Sequence, residues 1–143
     1  MKRLIKSVLA AMLVSGVSVA SAEEVVVIVN ANNSQSLTQS DVKAIYSDNI
    51  IAWNSGGDIK SFDLPLKNAA RSTFSNNLLG VSPKEAAMQW ANRKITNTAK
   101  NPPESRKETL VVLSVAKYEN AIGYVSKSAI AGKDGVRVVM TLK

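Results

Sequence analysis

The sequence predicts an α/β domain whose largely parallel sheet is flanked by helices. Three observations lead there. Val25-Val26-Val27-Ile28-Val29 is an unbroken apolar, β-branched run. A strand with one wet face would alternate, so this one reads as covered on both faces, as in a parallel sheet. Strand-like and helix-like segments then alternate along the chain, the pattern of a layered α/β architecture. Finally, the helical segments open on capping residues at Thr38, Ser82 and Ser105, each followed three residues later by an acid.

The chain begins with a short basic segment, Met1 to Lys6, and an apolar run from Ser7 to Ala20. The run ends in Ala20-Ser21-Ala22, followed by Glu23-Glu24. Small residues two apart before an acidic pair fit a signal peptidase site. The apolar run is shorter than the roughly 20 residues a membrane span needs. Residues 1–22 therefore read as a signal peptide cleaved after Ala22, and 23–143 as one exported domain. Without Cys, no lipid anchor through a thioether is available.

Of the 143 residues, 121 remain after the signal, enough for one domain with one core. Lys2, Arg3 and Lys6 fall in the signal. The rest holds fifteen Lys and Arg against eleven Asp and Glu, a net +4. That mild charge does not point to nucleic acid. No Cys means no disulfide framework or thiolate metal site. No His removes the usual general base and metal ligand. The expectation is a non-enzyme without metal or cofactor. Asp58 and Asp63 do not change it, because no His or third acid stands ready to work with them.

The elements follow in order. Val25–Val29 is a strand, and Asn30 to Ser34 a polar loop at its end, either an ordinary turn or a polar rim to a site. Thr38 caps a helix with Asp41 as the reciprocal acid, and Leu37 and Val42 form a staple. Val42, Ile45 and Tyr46 share its buried face. Residues 54–58 are a turn cluster. Ile59 to Leu64 is a second strand. A helix from about Ala69 to Leu79 carries Ala70, Phe74 and Leu78 at spacings of four, and Gly80 stops it. Ser82-Pro83 with Glu85 opens the next helix, whose apolar face includes Trp90. Residues 93–107 form a basic, proline-broken loop, either solvated or turned towards anionic lipid, polysaccharide or a protein. A capping box from Ser105 to Glu108 starts a helix to about Glu119, apolar almost all round and so expected deep in the core. Asn120 is a candidate left-handed terminus. Residues 121–125 and 136–142 are strands.

Three stretches together resemble the periplasmic phosphate-binding proteins of ABC phosphate transporters. They are Leu37-Thr38 through Ile45-Tyr46 to Trp53, Asp63 to Gly80, and Asn120-Ala121-Ile122-Gly123-Tyr124-Val125. The resemblance implies a type II periplasmic binding protein-like fold, present here as a short, single-lobe form. It also implies periplasmic localisation, a solute-binding role in transport and a small oxyanion ligand, phosphate the first candidate. A membrane transporter or sensor would be the partner. A lone lobe has half a cleft, so self-association or another protein is expected to close it.

The phosphate binders of this family offer an arginine and a Gly-Ser-Gly-Thr turn at a helix N-terminus, where free N–H groups and the helix dipole hold the anion. This chain reads Leu64-Pro65-Leu66-Lys67-Asn68-Ala69-Ala70-Arg71-Ser72 there. Leucine stands where the arginine would, and Asn68 and Ala70 replace hydroxyl residues. Lys67, Asn68, Arg71 and Ser72 remain the candidate ligand-binding set, with Lys67 and Arg71 expected at the surface. The same Asn68 also suits simple helix capping. An open helix terminus favours oxyanion binding. One plugged by side chains favours an interaction or sensory module that has lost its ligand and docks a membrane or envelope partner.

Overall fold

The computed structural model describes residues 23–143; residues 1–22, expected from the sequence to be a signal peptide, lie outside the described residues. Five strands form one sheet: β1 (Val25–Asn30), β2 (Lys60–Asp63), β3 (Glu104–Ser105), β4 (Ala121–Ser126) and β5 (Val136–Leu142). Their spatial order is β3-β2-β4-β1-β5. Four α-helices accompany them: α1 (Gln39–Tyr46), α2 (Ala69–Phe74), α3 (Pro83–Ile95) and α4 (Glu108–Lys117). Among the described residues, no helix is long and apolar enough to cross a membrane.

The α/β lobe is the fold the sequence predicts, and β2 pairs parallel to both β3 and β4. The direction of β1 is the difference in detail: it runs antiparallel to β4 and to β5. Its unbroken apolar run has a simpler cause than strand direction. All six β1 residues are buried, because the strand lies inside the sheet with helices over both faces. Neighbouring residues of β4 show the two layers, since successive side chains point to opposite faces. On one side, a Cβ added to Gly123 would lie 2.6 Å from Val111 Cγ1 of α4. On the other, Tyr124 stacks on Phe74 of α2 at 3.8 Å between centroids and 2° between planes. Tyr46 of α1 packs edge-on against Phe74 at 4.8 Å, and its hydroxyl donates to the Phe62 carbonyl at 2.7 Å.

Most helix starts follow the sequence. Thr38 and Asp41 form the reciprocal box that opens α1, and Ser82 caps α3 with Pro83 in its first turn. The expected helix 69–79 is α2 followed by a π-helical turn at Ser75–Leu79, stopped by Gly80 at φ 75°. Three local readings are corrected. Lys107, not Ser105, precedes α4, and no side chain caps it. The Glu108 carboxylate is used elsewhere, accepting the Ser126 N–H at 2.6 Å. Helix α4 buries Val111, Val112 and Val115, but Leu113 is 61% exposed, so the helix lies on the sheet rather than inside the core. Asn120 does not take the left-handed conformation; Asp48 and Asn97 do among the described non-glycine residues. The Asn120 carbonyl instead accepts from Trp53 Nε1 at 2.9 Å and from the Lys60 N–H at 3.0 Å.

Candidate functional site

Asp63 ends β2, and the chain turns through Leu64–Lys67 into α2, so residues 67–72 lie beyond the C-terminal edge of the parallel strands. This is where open α/β sheets receive ligands. Asn68 sits in extended backbone geometry before α2. Its Oδ1 accepts the N–H groups of Ala70 at 2.8 Å and Arg71 at 3.3 Å. That is the arrangement of an N-cap, and it occupies donors a backbone anion cradle would need. Lys67 is exposed and makes no ion pair among the described residues. Ser72 is exposed, and its hydroxyl accepts from Asn76 Nδ2 at 3.3 Å.

Arg71 corrects the expectation of a surface cation. It is 8% exposed. Its Nη1 donates to the Leu64 carbonyl at 2.7 Å, and its Nη2 stands 3.6 Å from Asp63 Oδ2. Its Nε–H is buried and has no hydrogen-bond partner among the described residues. The carboxylate of Asp63 draws the guanidinium inward, an arrangement made possible by the sharp turn between them. Asp63 is in turn fixed by its neighbours: Oδ1 accepts the Leu64 N–H at 2.8 Å and the Tyr124 hydroxyl. Burial, then the Asp63 charge, push the Tyr124 phenol well above its ordinary value. Tyr124 therefore stays a neutral donor to Asp63.

The structure thus joins Asn68, Arg71 and Ser72 around the first turn of α2, where the Ser72 N–H also donates to the Asn68 carbonyl at 3.2 Å. Lys67 stays outside that network. Beside Arg71 opens a cavity of about 240 Å³, bounded by Asp63, Trp90, Lys94, Pro103 and Ser105. Arg93 rises over the Trp90 ring, its guanidinium carbon 4.7 Å from the centroid. Sequence reasoning set Asp63 aside as a catalytic acid and missed it as the partner of Arg71. A signal was available: an acid at a strand end, then an arginine in the first turn of the next helix. Trp90, Lys94 and the basic loop come to the same mouth only through tertiary packing.

The family model described as a PBP superfamily domain matches residues 20–137. Among solved structures, the chain is similar to an ABC-type phosphate transport receptor from Vibrio cholerae, with 16% identity and a TM-score of 0.62. That alignment covers 82% of this chain and 46% of the receptor. It is also similar to PstS from Borrelia burgdorferi, with 12% identity, a TM-score of 0.63, and coverage of 82% and 46%. The chain therefore spans about half the length of these relatives, and at such identities the likeness is one of fold. No curated protein matches the sequence. The matched span takes in β1 to β4, the start of β5 and all four α-helices, and the chain belongs to the family of the PBP superfamily domain.

Proposed function

We propose that residues 23–143 are an exported, non-catalytic binding lobe that takes a small oxyanion, phosphate first, and serves a membrane transporter. The fold supports this reading, as do the phosphate receptors among the similar structures. The observation that carries it is Arg71: a buried guanidinium with an unused N–H, beside a cavity at the ligand end of the sheet. Because Asn68 occupies the N–H groups of Ala70 and Arg71, side chains replace the backbone cradle. Lys67 supplies an exposed charge, Arg71 a buried one and Ser72 a hydroxyl. Half a cleft leaves one side of the ion wet, so a second copy or another protein closes the site.

The Asn68 cap, which plugs the helix terminus, favours a second reading, an interaction or sensory module that no longer holds an ion. Calorimetric titration with inorganic phosphate separates the two, with the assembly state followed by ultracentrifugation. The oxyanion reading expects binding that tightens as the protein associates. It expects Lys67→Ala to weaken that binding about tenfold or more, the worth of one charged hydrogen bond. Micromolar binding to a strict monomer contradicts the closure argument. No phosphate binding in any assembly state leaves the module.

A further inference from the structure

A second cleft lies at the opposite end of the sheet, where β1 ends at Asn30 and β4 begins after Asn120. Its volume is about 360 Å³, within the range of small-molecule sites, roughly 300–1,000 Å³. We propose that it binds a neutral saccharide, through Asn32, Asn33, Gln35, Glu119 and Asn120 against Trp53.

The wall chemistry selects that class. Side-chain amides carry both donors and acceptors, as sugar hydroxyls do. Several of these atoms are uncommitted. Asn33 is only 9% exposed, and its Nδ2 has no hydrogen-bond partner among the described residues although its Oδ1 accepts the Gln35 N–H at 3.0 Å. Asn32 Nδ2 donates to Glu119 Oε1 at 3.2 Å, and Asn120 Nδ2 to the Asp58 carbonyl at 2.8 Å, leaving both amide oxygens without donors among the described residues. Among the described residues the only charged one in the wall is Glu119, which repels phosphate and other anions. Trp53 is mostly buried, and the small part of it that lines the cleft is held through Nε1 on the Asn120 carbonyl.

The cleft is held in shape before any ligand arrives. Asn30 Nδ2 donates to the Val115 and Ala116 carbonyls at 2.9 and 3.1 Å, while its Oδ1 accepts the Asn32 N–H at 2.9 Å. Arg137 clamps the loop from β5, donating from Nε to the Asn33 carbonyl at 2.9 Å and from Nη2 to the Gln35 carbonyl at 2.8 Å. Anchors on α4 and β5 together exceed what a connecting turn requires, and preorganisation of this kind lowers the cost of binding.

The test is saturation-transfer NMR on the purified protein with glucose, galactose, N-acetylglucosamine and maltose. Trp53 fluorescence is followed in a Trp90→Phe background, which removes the other tryptophan. At least one sugar should bind saturably and change the Trp53 emission. Asn32→Ala and Glu119→Ala should each weaken it by about tenfold, one hydrogen bond's worth of affinity. Both residues are exposed, and circular dichroism verifies that the variants stay folded. No saturable binding across the panel overturns the proposal. So does sugar binding that both variants leave unchanged, or a Trp53 response to inorganic phosphate instead of to sugar.

Discussion

Arg71 Nη2 lies 3.6 Å from Asp63 Oδ2, with both side chains almost wholly out of solvent. The pair ties the first turn of α2 to the end of β2, and Tyr124 of β4 joins it through Asp63. Removing one member of a buried pair strands the other charge. Arg71→Ala should therefore destabilise the fold by roughly 3 kcal/mol, the low end for a broken buried pair. Lys67→Ala, at an exposed position, should stay within about 0.5 kcal/mol of the parent. Urea unfolding measures both. Equal stability of the two variants would show that the buried pair contributes nothing.

Tyr46 and Tyr124 give the fold an alkaline limit. Burial first, then the Asp63 charge, raise both phenols well above their ordinary value near 10. A raised folded value means the unfolded chain loses these protons first. The stabilisation is complete below about pH 10 and falls as pH rises towards the folded values, by about 1.4 kcal/mol per pH unit for each tyrosine. In a Tyr118→Phe variant, which keeps only these two tyrosines, tyrosinate absorbance should appear together with the loss of near-ultraviolet dichroism. Tyrosinate formed while the dichroism is still native would contradict the burial argument.

Gly123 sets how closely α4 approaches the sheet. A Cβ there would meet Val111 Cγ1 at 2.6 Å and Val115 Cγ2 at 3.3 Å. Gly123→Ala should cost about 1–3 kcal/mol as an overpacked core change. Val111→Ala made in the same chain should recover part of that loss, because the two sites share one space. Denaturant midpoints of the two single variants and the double variant check this. Strict additivity would place the clash elsewhere.

What could be read in the sequence was what short stretches decide. Thr38 with Asp41, Ser82 with Pro83, and Gly80 after Leu79 depend on neighbours within a turn, and each takes its expected place. Val25–Val29 announced a covered strand but not its direction, since helices on both faces impose the same burial either way. Ser105 and Glu108 lost their box to a partner eighteen residues away, the Ser126 N–H. Arg71 was legible as a cation near a helix start, but its inward turn depends on Asp63, itself oriented by Tyr124 sixty-one residues further on. The polar loop after β1 was legible as either an ordinary turn or a rim, with nothing in the sequence to choose between them. The cleft behind it needs Trp53 and Asn120, which only tertiary packing brings there.

The central claim is that the mouth at Lys67–Ser72 takes an oxyanion. Its most direct test is the melting temperature of the protein in increasing inorganic phosphate, against chloride at the same ionic strength. A ligand that binds only the folded state must raise stability by mass action, by about 2.7 kcal/mol at a hundred times its dissociation constant. At this size that is a rise of several degrees. The account predicts that phosphate raises the melting temperature beyond chloride and that Lys67→Ala removes most of the difference. Phosphate and chloride curves that superimpose at every concentration would contradict it.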